Sequence, residues 1–305
     1  MTDRTSLKLH KKPAKPRENT APMAEPAPSK PRRPGRSNAL PLFLASALAF
    51  GTAMPVIWMV LTSLKSPAEI AQVPHTFLPQ VWQWDNYVTA LIRAPFLTYL
   101  RNTLVYCVLV TSAIVFLSAT AAYSFAQLRL PGRNFLFATY LATMMVPFQL
   151  IVIPLFIMLS AFDWIDTVQG IVVPQFFAAF GVFLLRQFFL SIPSELVDAA
   201  SIDGANAWTI FTRVMLPMAK PAVVTLAVFT FIGQWNGLLW PLLISSSEST
   251  RPLAAGLATF VGTSGTQWEL LMAGSAITAL PILVVYVLAQ RWIVDGVATS
   301  GFGGK

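Results

Sequence analysis

Few side chains in this sequence are equipped for catalysis. The two histidines, His10 and His75, and the single cysteine, Cys107, are too few and too scattered for a metal site. No cluster of acids, histidines or metal ligands marks an enzyme centre at one membrane face. No Gly-x4-Gly-Lys-Ser/Thr loop is present to cradle ATP phosphates; the only Gly-Lys is Gly304-Lys305, with no helix after it. The chemistry on offer is recognition and contact, and two stretches carry it. One is the polar passage Ser194 to Pro217, SELVDAASIDGANAWTIFTRVMLP. The other is Gln234-Trp235-Asn236, followed by Trp240-Pro241. Amides both donate and accept, as sugar hydroxyls require, and an indole offers a face on which an apolar sugar face can stack. The same groups serve equally well to bind helices together, so both readings stand.

The elements behind the polar passage follow from its spacing. Ser194 and Glu195 come after Pro193 and suit a helix start, a cap-type residue followed by an acid where the helix dipole favours it. Leu196, Ala199, Ala200 and Asp203 fall at helical spacing, and the paired alanines leave a face smooth enough for close approach by a partner. Asp203-Gly204 is a turn signal. A second apolar-periodic run, Ala207, Trp208, Phe211, Val214 and Met215, extends to Pro217, which is expected to stop it. The passage therefore predicts a helix, a glycine turn and a second helix lying outside a membrane.

Composition places that passage in a membrane protein. The chain has 305 residues, 55% hydrophobic and 11% charged, with mean hydropathy +0.62; soluble domains carry roughly 25% charged residues. The net charge of +8 is concentrated in residues 1–38, which hold ten Lys/Arg and three acids. That tail, rich in Pro, Lys and Arg, reads as disordered, and its basic run Lys30 to Arg36 as a topogenic charge touching anionic lipid rather than nucleic acid. Cys107 reads as a small packing residue. Apolar segments at Ala39–Leu61, Tyr99–Gln127, Phe135–Leu159, Val168–Leu185, Pro221–Ile244 and Leu270–Ala289 predict six spans. The first is too long, and too far from the N-terminus, for a cleaved signal peptide. Pro147, Pro154 and Pro174 are expected to kink spans. With Arg101 assigned to the second span, seven Lys/Arg lie on the inner side (Arg129, Arg133, Arg186, Arg213, Lys220, Arg291, Lys305) against Lys65, Arg93 and Arg251 outside. This asymmetry predicts cytoplasmic termini and a cytoplasmic 186–220 loop. The segment 160–167 carries only Asp163 and Asp166, in agreement.

Away from their ends, none of the six spans carries Asp, Glu, Lys, Arg or His. Ion-coupled carriers and proton relays need such groups, so a transporter with neither these nor a nucleotide loop must be driven by a partner. An ion-coupled or passive carrier of a small polar solute is the alternative; inhibition by an uncoupler with ATP intact would favour it.

The residues of the polar passage resemble the cytoplasmic loop of the membrane subunits of bacterial ABC importers. That pattern is Glu-Ala-Ala, three residues, Gly, nine residues, Ile, one residue, Leu-Pro. The match is Asp198-Ala199-Ala200, Gly204, Val214 and Leu216-Pro217, with Asp for Glu and Val for Ile. Ile202 to Ala222 is similar to the sugar-importer branch, the permeases like the second permease subunit of the maltose transporter. "TSLKSPAEI" at Thr62–Ile70, Asn86-Tyr87, the Trp235-Asn236 pair and Gln290-Arg291 resemble the same branch, whereas Gly301 to Lys305 departs from its usual ending. The resemblance implies an all-α permease domain over 39–300, with a disordered tail at 1–38, a short tail at 301–305 and no cofactor. It further implies a second permease subunit, two ATPase subunits and an external solute-binding protein as partners, in a bacterial inner membrane. By position, Glu195, Asp198 and Asp203 would face the ATPase, Ala199 and Ala200 would allow docking, and Gly204 would make the bend. Leu216 and Pro217 would anchor the loop. Gln234, Trp235 and Asn236 would lie on the carbohydrate path. The outer loop Ser245 to Gln267 would reach the binding protein, or serve as a flexible connector.

Overall fold

In a computed structural model of the chain, residues 39–128, 131–262 and 265–301 are described. The basic tail, Arg129 and the last four residues lie outside them. The chain divides at Thr52 into two units. Of the first, only the opening of α1 (Ala39–Ser63) is described, an apolar helix carried on past Pro55 into the second unit.

In the second unit a short α2 (Pro67–Ala71) and α3 (Asp85–Arg93) lead to α4 (Phe96–Gln127), the 32-residue helix on which the rest is hung. At 1.5 Å per residue it is about 48 Å long, enough to cross a bilayer with some to spare. Arg101 lies within it, so the charge-free character belongs to span centres. α5 (Arg133–Ala142), α6 (Phe148–Ala161), α7 (Val168–Val172), α8 (Ala179–Ser191) and α9 (Ser194–Ile202) follow. Next come α10 (Ala207–Ile210), a five-residue π turn (Phe211–Met215), α11 (Leu216–Met218) and α12 (Lys220–Trp235). α13 (Leu239–Ile244), α14 (Leu253–Leu257), the two-residue strands β1 (Val261–Gly262) and β2 (Gly265–Thr266), and α15 (Trp268–Gly301) complete the order. α4 packs against α8 and α12, α12 against α15, and α15 against α3.

Three stretches read as continuous spans are broken. Phe135–Leu159 is α5 plus α6, bent by 93°. Pro147 supplies no amide hydrogen and forces Val146 into an extended conformation, and the helix restarts after it. Pro154, by contrast, sits inside α6 without breaking it. Val168–Leu185 bends by 43° after the 3₁₀ turn that holds Pro174. The fifth stretch ends as a helix at Trp235 and resumes at Leu239, and its start is bent by 77° from the helical run before it. Among the described residues, three helices are long and apolar enough to cross a membrane, and the count reaches six if each bent pair is one span.

A small residue sets the approach of α8 to α4. A β-carbon on Gly181 of α8 would collide with the Ser118 hydroxyl of α4, so glycine lets the two backbones approach. Cores form at both ends of α4. Near its start, Phe96 and Tyr99 pack with Ala90, Leu253, Leu270 and Ala273; near its end, Tyr123 and Ala126 pack with Phe189, Ile210, Phe211 and Met215.

The connection after α13 is fastened rather than loose. Asp166 accepts hydrogen bonds from the Ser246 and Ser247 amides (2.9 and 3.0 Å) and from the Thr250 hydroxyl. Asn102 of α4 donates to the Ser249 and Arg251 carbonyls (2.8 and 3.0 Å), Tyr106 donates to Thr250 O, and Thr103 accepts from the Leu253 amide. Burial pushes the Asp166 carboxyl up. The bonds from the Ser247 amide, the Thr250 and Ser247 hydroxyls and the Ser246 amide outweigh it, holding the pKa down at about 2.

Candidate functional site

The passage Ser194–Pro217 folds for local reasons. Helix α9 begins directly after Pro193, so Ser194 is its first residue rather than its cap, and Glu195 stands in the first turn where the dipole favours an acid. The far end of α9 closes through paired bonds. The Gly204 amide donates to Ser201 O (3.1 Å) and the Ala205 amide to Ala200 O (3.0 Å), the double bond pattern of a Schellman turn. Such a turn needs one left-handed residue, and Gly204 supplies it with φ +82°. Asn206 then caps the second helix, its side chain accepting from the Thr209 amide at 2.8 Å.

Pro217 does not stop this second helix. The run continues to Met218 because the turn ahead of it widens: the Leu216 amide donates to Phe211 O, a π-type bond. In an α-turn Pro217 would lack an amide for the Arg213 carbonyl and its ring would crowd it. The bend comes two residues later, at Ala219, and Pro221 sits in the first turn of α12, where a missing amide costs little.

Three apolar side chains of this second helix, Ile210, Phe211 and Met215, are buried against α4 and α8. Burial of each is worth roughly 1.5–3 kcal/mol. Phe211 and Phe189 both meet the ring of Tyr123, with centroids 5.2 and 6.5 Å away. Leu216 is half-buried on the same core, and Pro217 is exposed. Cations finish the anchorage. Arg133 donates to the Ala126 and Leu128 carbonyls at the end of α4 (3.1 and 3.3 Å), as suits a helix C-terminus. Arg186 donates to Phe125 O and lies 4.1 Å over the Phe137 ring.

The alanine pair divides. Val197 and Ala200, three apart, turn inward onto the core, whereas Ala199 is exposed. The outward face of α9 is Glu195, Leu196, Asp198, Ala199, Ile202 and Asp203; Ile202 is 86% exposed, and Trp208 stands open nearby. Ile202 thus stands open between the acids Asp198 and Asp203.

Gln234, Trp235 and Asn236 are not brought together on one face, since successive helical residues point about 100° apart. Trp235 is buried and its indole donates to Thr278 O of α15 at 3.2 Å, so it ties two helices. Asn236 is exposed and bonds back to Ile232 O, and Gln234 is half-buried. Sequence reasoning missed a cavity of about 390 Å³ beside α4 at the break between Phe176 and Ala178, lined by Ser118, Thr120, Ser124 and Tyr140 among others. Among the described residues no three His, Cys, Asp or Glu side chains group as metal ligands.

Comparison with known proteins agrees with this architecture. The chain is 30% identical over 260 residues to the arabinooligosaccharides transport system permease protein AraQ of Halalkalibacterium halodurans, covering 84% of this chain and 93% of that protein. Identity to the diacetylchitobiose uptake system permease protein NgcG of Streptomyces coelicolor is 33% over 82% of this chain and 83% of that one. Identity to the sn-glycerol-3-phosphate transport system permease protein UgpE of Yersinia pestis is 35%, over 76% and 86%. Among solved structures, a chain from a bacterial ABC transporter involved in the import of the acidic polysaccharide alginate superposes with TM-score 0.73 at 25% identity, over 84% of this chain and 98% of that one. Residues 114–299, which hold the anchored loop and the broken helices, match one family throughout: the chain belongs to the binding-protein-dependent transport system inner membrane components.

Proposed function

We propose that this chain is a permease subunit of an ATP-driven importer for a carbohydrate or similar polyol, and that α9 to α11 couple it to an ATPase subunit. The observation that carries the reading is the built contact surface. An exposed face of Glu195, Asp198, Ala199, Ile202 and Asp203 is held by the Gly204 turn, on a helix that rests on the core of α4 and α8 through half-buried Val197 and Ala200. ATP hydrolysis falls to the separate subunit. Closure of a pair of ATPases pushes on α9, the anchored second helix carries the push to α12 and α4, and the helices reorient about a solute path. Ala199, with Leu196 and Ile202 beside it, provides the close approach, and Ala200 joins Leu216 in fixing the loop, whereas exposed Pro217 does not.

In this reading the three long helices and three bent pairs make six spans. Both termini and the 186–220 loop are cytoplasmic, with the 1–38 tail on the same side. A second permease completes the path and an external solute-binding protein delivers the solute, engaging the surface formed by the Ser245–Gln267 connection. The carbohydrate class rests on the relatives named for arabinooligosaccharides and diacetylchitobiose. The cavity beside the break at Phe176–Ala178, with its hydroxyls, is a better candidate for the path than Trp235, whose donor is taken. The test is co-purification. An ATPase subunit should accompany the wild-type chain and be lost from Gly204→Asp, and from Ile202→Glu, which leaves the turn intact, while both variants still insert. Failure of any ATPase to co-purify, or unaltered transport by both variants, would overturn the proposal in favour of a carrier that works alone.

A further inference from the structure

At the end of α4 remote from the coupling loop, a second cavity of about 280 Å³ is lined by Trp58, Thr62, Lys65, Glu69, His75 and Trp268, among others. Its walls are unusually polar for their depth. Lys65 and Glu69 are 3% and 7% exposed. The Lys65 ammonium donates to Thr76 O and stands 5.0 Å over the Trp58 ring, yet makes no ion pair among the described residues. One Glu69 oxygen accepts from the Thr76 hydroxyl (2.7 Å) and the Gln80 amide (3.0 Å). The Thr62 hydroxyl is buried and has no partner, an arrangement that is costly unless something fills it. The frame is firm: Asn86 donates to the Ser63 and Lys65 carbonyls (2.8 and 2.9 Å), and Tyr87 bonds Ser63 at 2.8 Å.

We infer that this cavity is a receiving site for one ring of a neutral saccharide. Three observations select that ligand. The ammonium and the carboxylate balance each other in charge, so an anion gains little there, whereas sugar hydroxyls suit a wall that pairs an ammonium donor with a carboxylate acceptor. The Trp268 indole, 47% exposed, offers a face on which the apolar side of a pyranose can stack, while Trp58 holds the Lys65 ammonium against its own ring. The volume, at the low edge of the roughly 300–1,000 Å³ usual for ligand sites, seats a single ring and leaves the rest of a longer saccharide outside its open mouth. The inference rests on the carbohydrate-import reading, and it adds a station at the outer end of the molecule, where an arriving sugar is held before the path opens.

The test uses the full-length chain purified with its partner subunits, carrying Cys107→Ala and His75→Cys, so that one exposed thiol lies at the cavity. Its reaction with a small thiol reagent is timed in the presence of arabinotriose, diacetylchitobiose, maltose or sn-glycerol-3-phosphate. At least one neutral sugar should slow labelling threefold or more at millimolar concentration, and sn-glycerol-3-phosphate should not. Trp268→Ala should remove the protection, as should Lys65→Met; the former alters an exposed ring and leaves the buried network in place. If no sugar protects, if the anion protects best, or if protection survives Trp268→Ala, the inference is overturned and the network is structural only. Uptake of the same sugars by cells producing the unaltered complex is measured in parallel. Uptake without protection removes this site alone, whereas uptake of none of them, with another solute class imported instead, removes the carbohydrate reading.

Discussion

Asp166 shows how much one side chain organises outside the core. It adopts φ +59°, a left-handed conformation that Asp tolerates better than most residues, and from there it gathers the Ser246 and Ser247 amides and the Thr250 hydroxyl. Because these bonds hold the carboxylate at about 2, below the ordinary 3.8, the charged form is the stabilising one. Its contribution should be complete above about pH 4 and disappear as the pH falls toward 2. The melting-temperature difference between wild type and Asp166→Ala should therefore be flat from neutral pH to about 4 and narrow below it. A difference that widens on acidification would refute the assignment. In the sequence Asp166 was visible only as a charge on an outer loop, because nothing local announces partners 80 residues away. Gly204 was fully legible, since Asp-Gly after a helical period requires a turn. The division between Ala199 and Ala200 was not. Which of two adjacent residues faces inward depends on how the core rotates the helix, and that is set by Val197 and Ala200 together.

At the level of helices, length was readable and continuity was not. Apolar stretches of bilayer length stand out in the sequence, and Pro147 and Pro174 marked two of the breaks. The bend at Ala219 escaped because Pro217 looked like the natural stop; the π turn from Phe211 to Met215 absorbs that proline and moves the bend two residues on. The contact between α4 and α8 is close at Gly181. Gly181→Ala should destabilise by about 1–3 kcal/mol through overpacking against Ser118, read as a lowered melting temperature in detergent. The double change Gly181→Ala with Ser118→Gly should recover most of the loss, and no recovery would show that the space lies elsewhere.

Across the molecule, α4 runs through three cores, and the two at its ends differ in what they support. Its first turns hold the connection after α13 and its last turns hold the loop proposed for ATPase contact. Tyr123 is the hinge of the second core, meeting both Phe189 and Phe211. Tyr123→Leu keeps the apolar character but removes two ring pairs, each worth roughly 0.5–1.5 kcal/mol beyond area. We expect the ATPase to remain bound while solute uptake per ATP hydrolysed drops by up to about tenfold, measured in proteoliposomes. An unchanged ratio would place the transmission through other contacts. This meeting of three helices at one ring could not be read from the sequence, where Tyr123 is one aromatic among many in a long apolar helix.

The 77° bend at Ala219 has a mechanical corollary. The straight run from Ala207 to Met218 is twelve residues, about 18 Å of rigid rod. Set crosswise to α12, it is a crank arm: each ångström of travel at Asn206 turns the shaft by about 3°. In the coupling proposed above, a linear stroke of small amplitude at the loop would become rotation of α12, with a gearing fixed by where the bend falls.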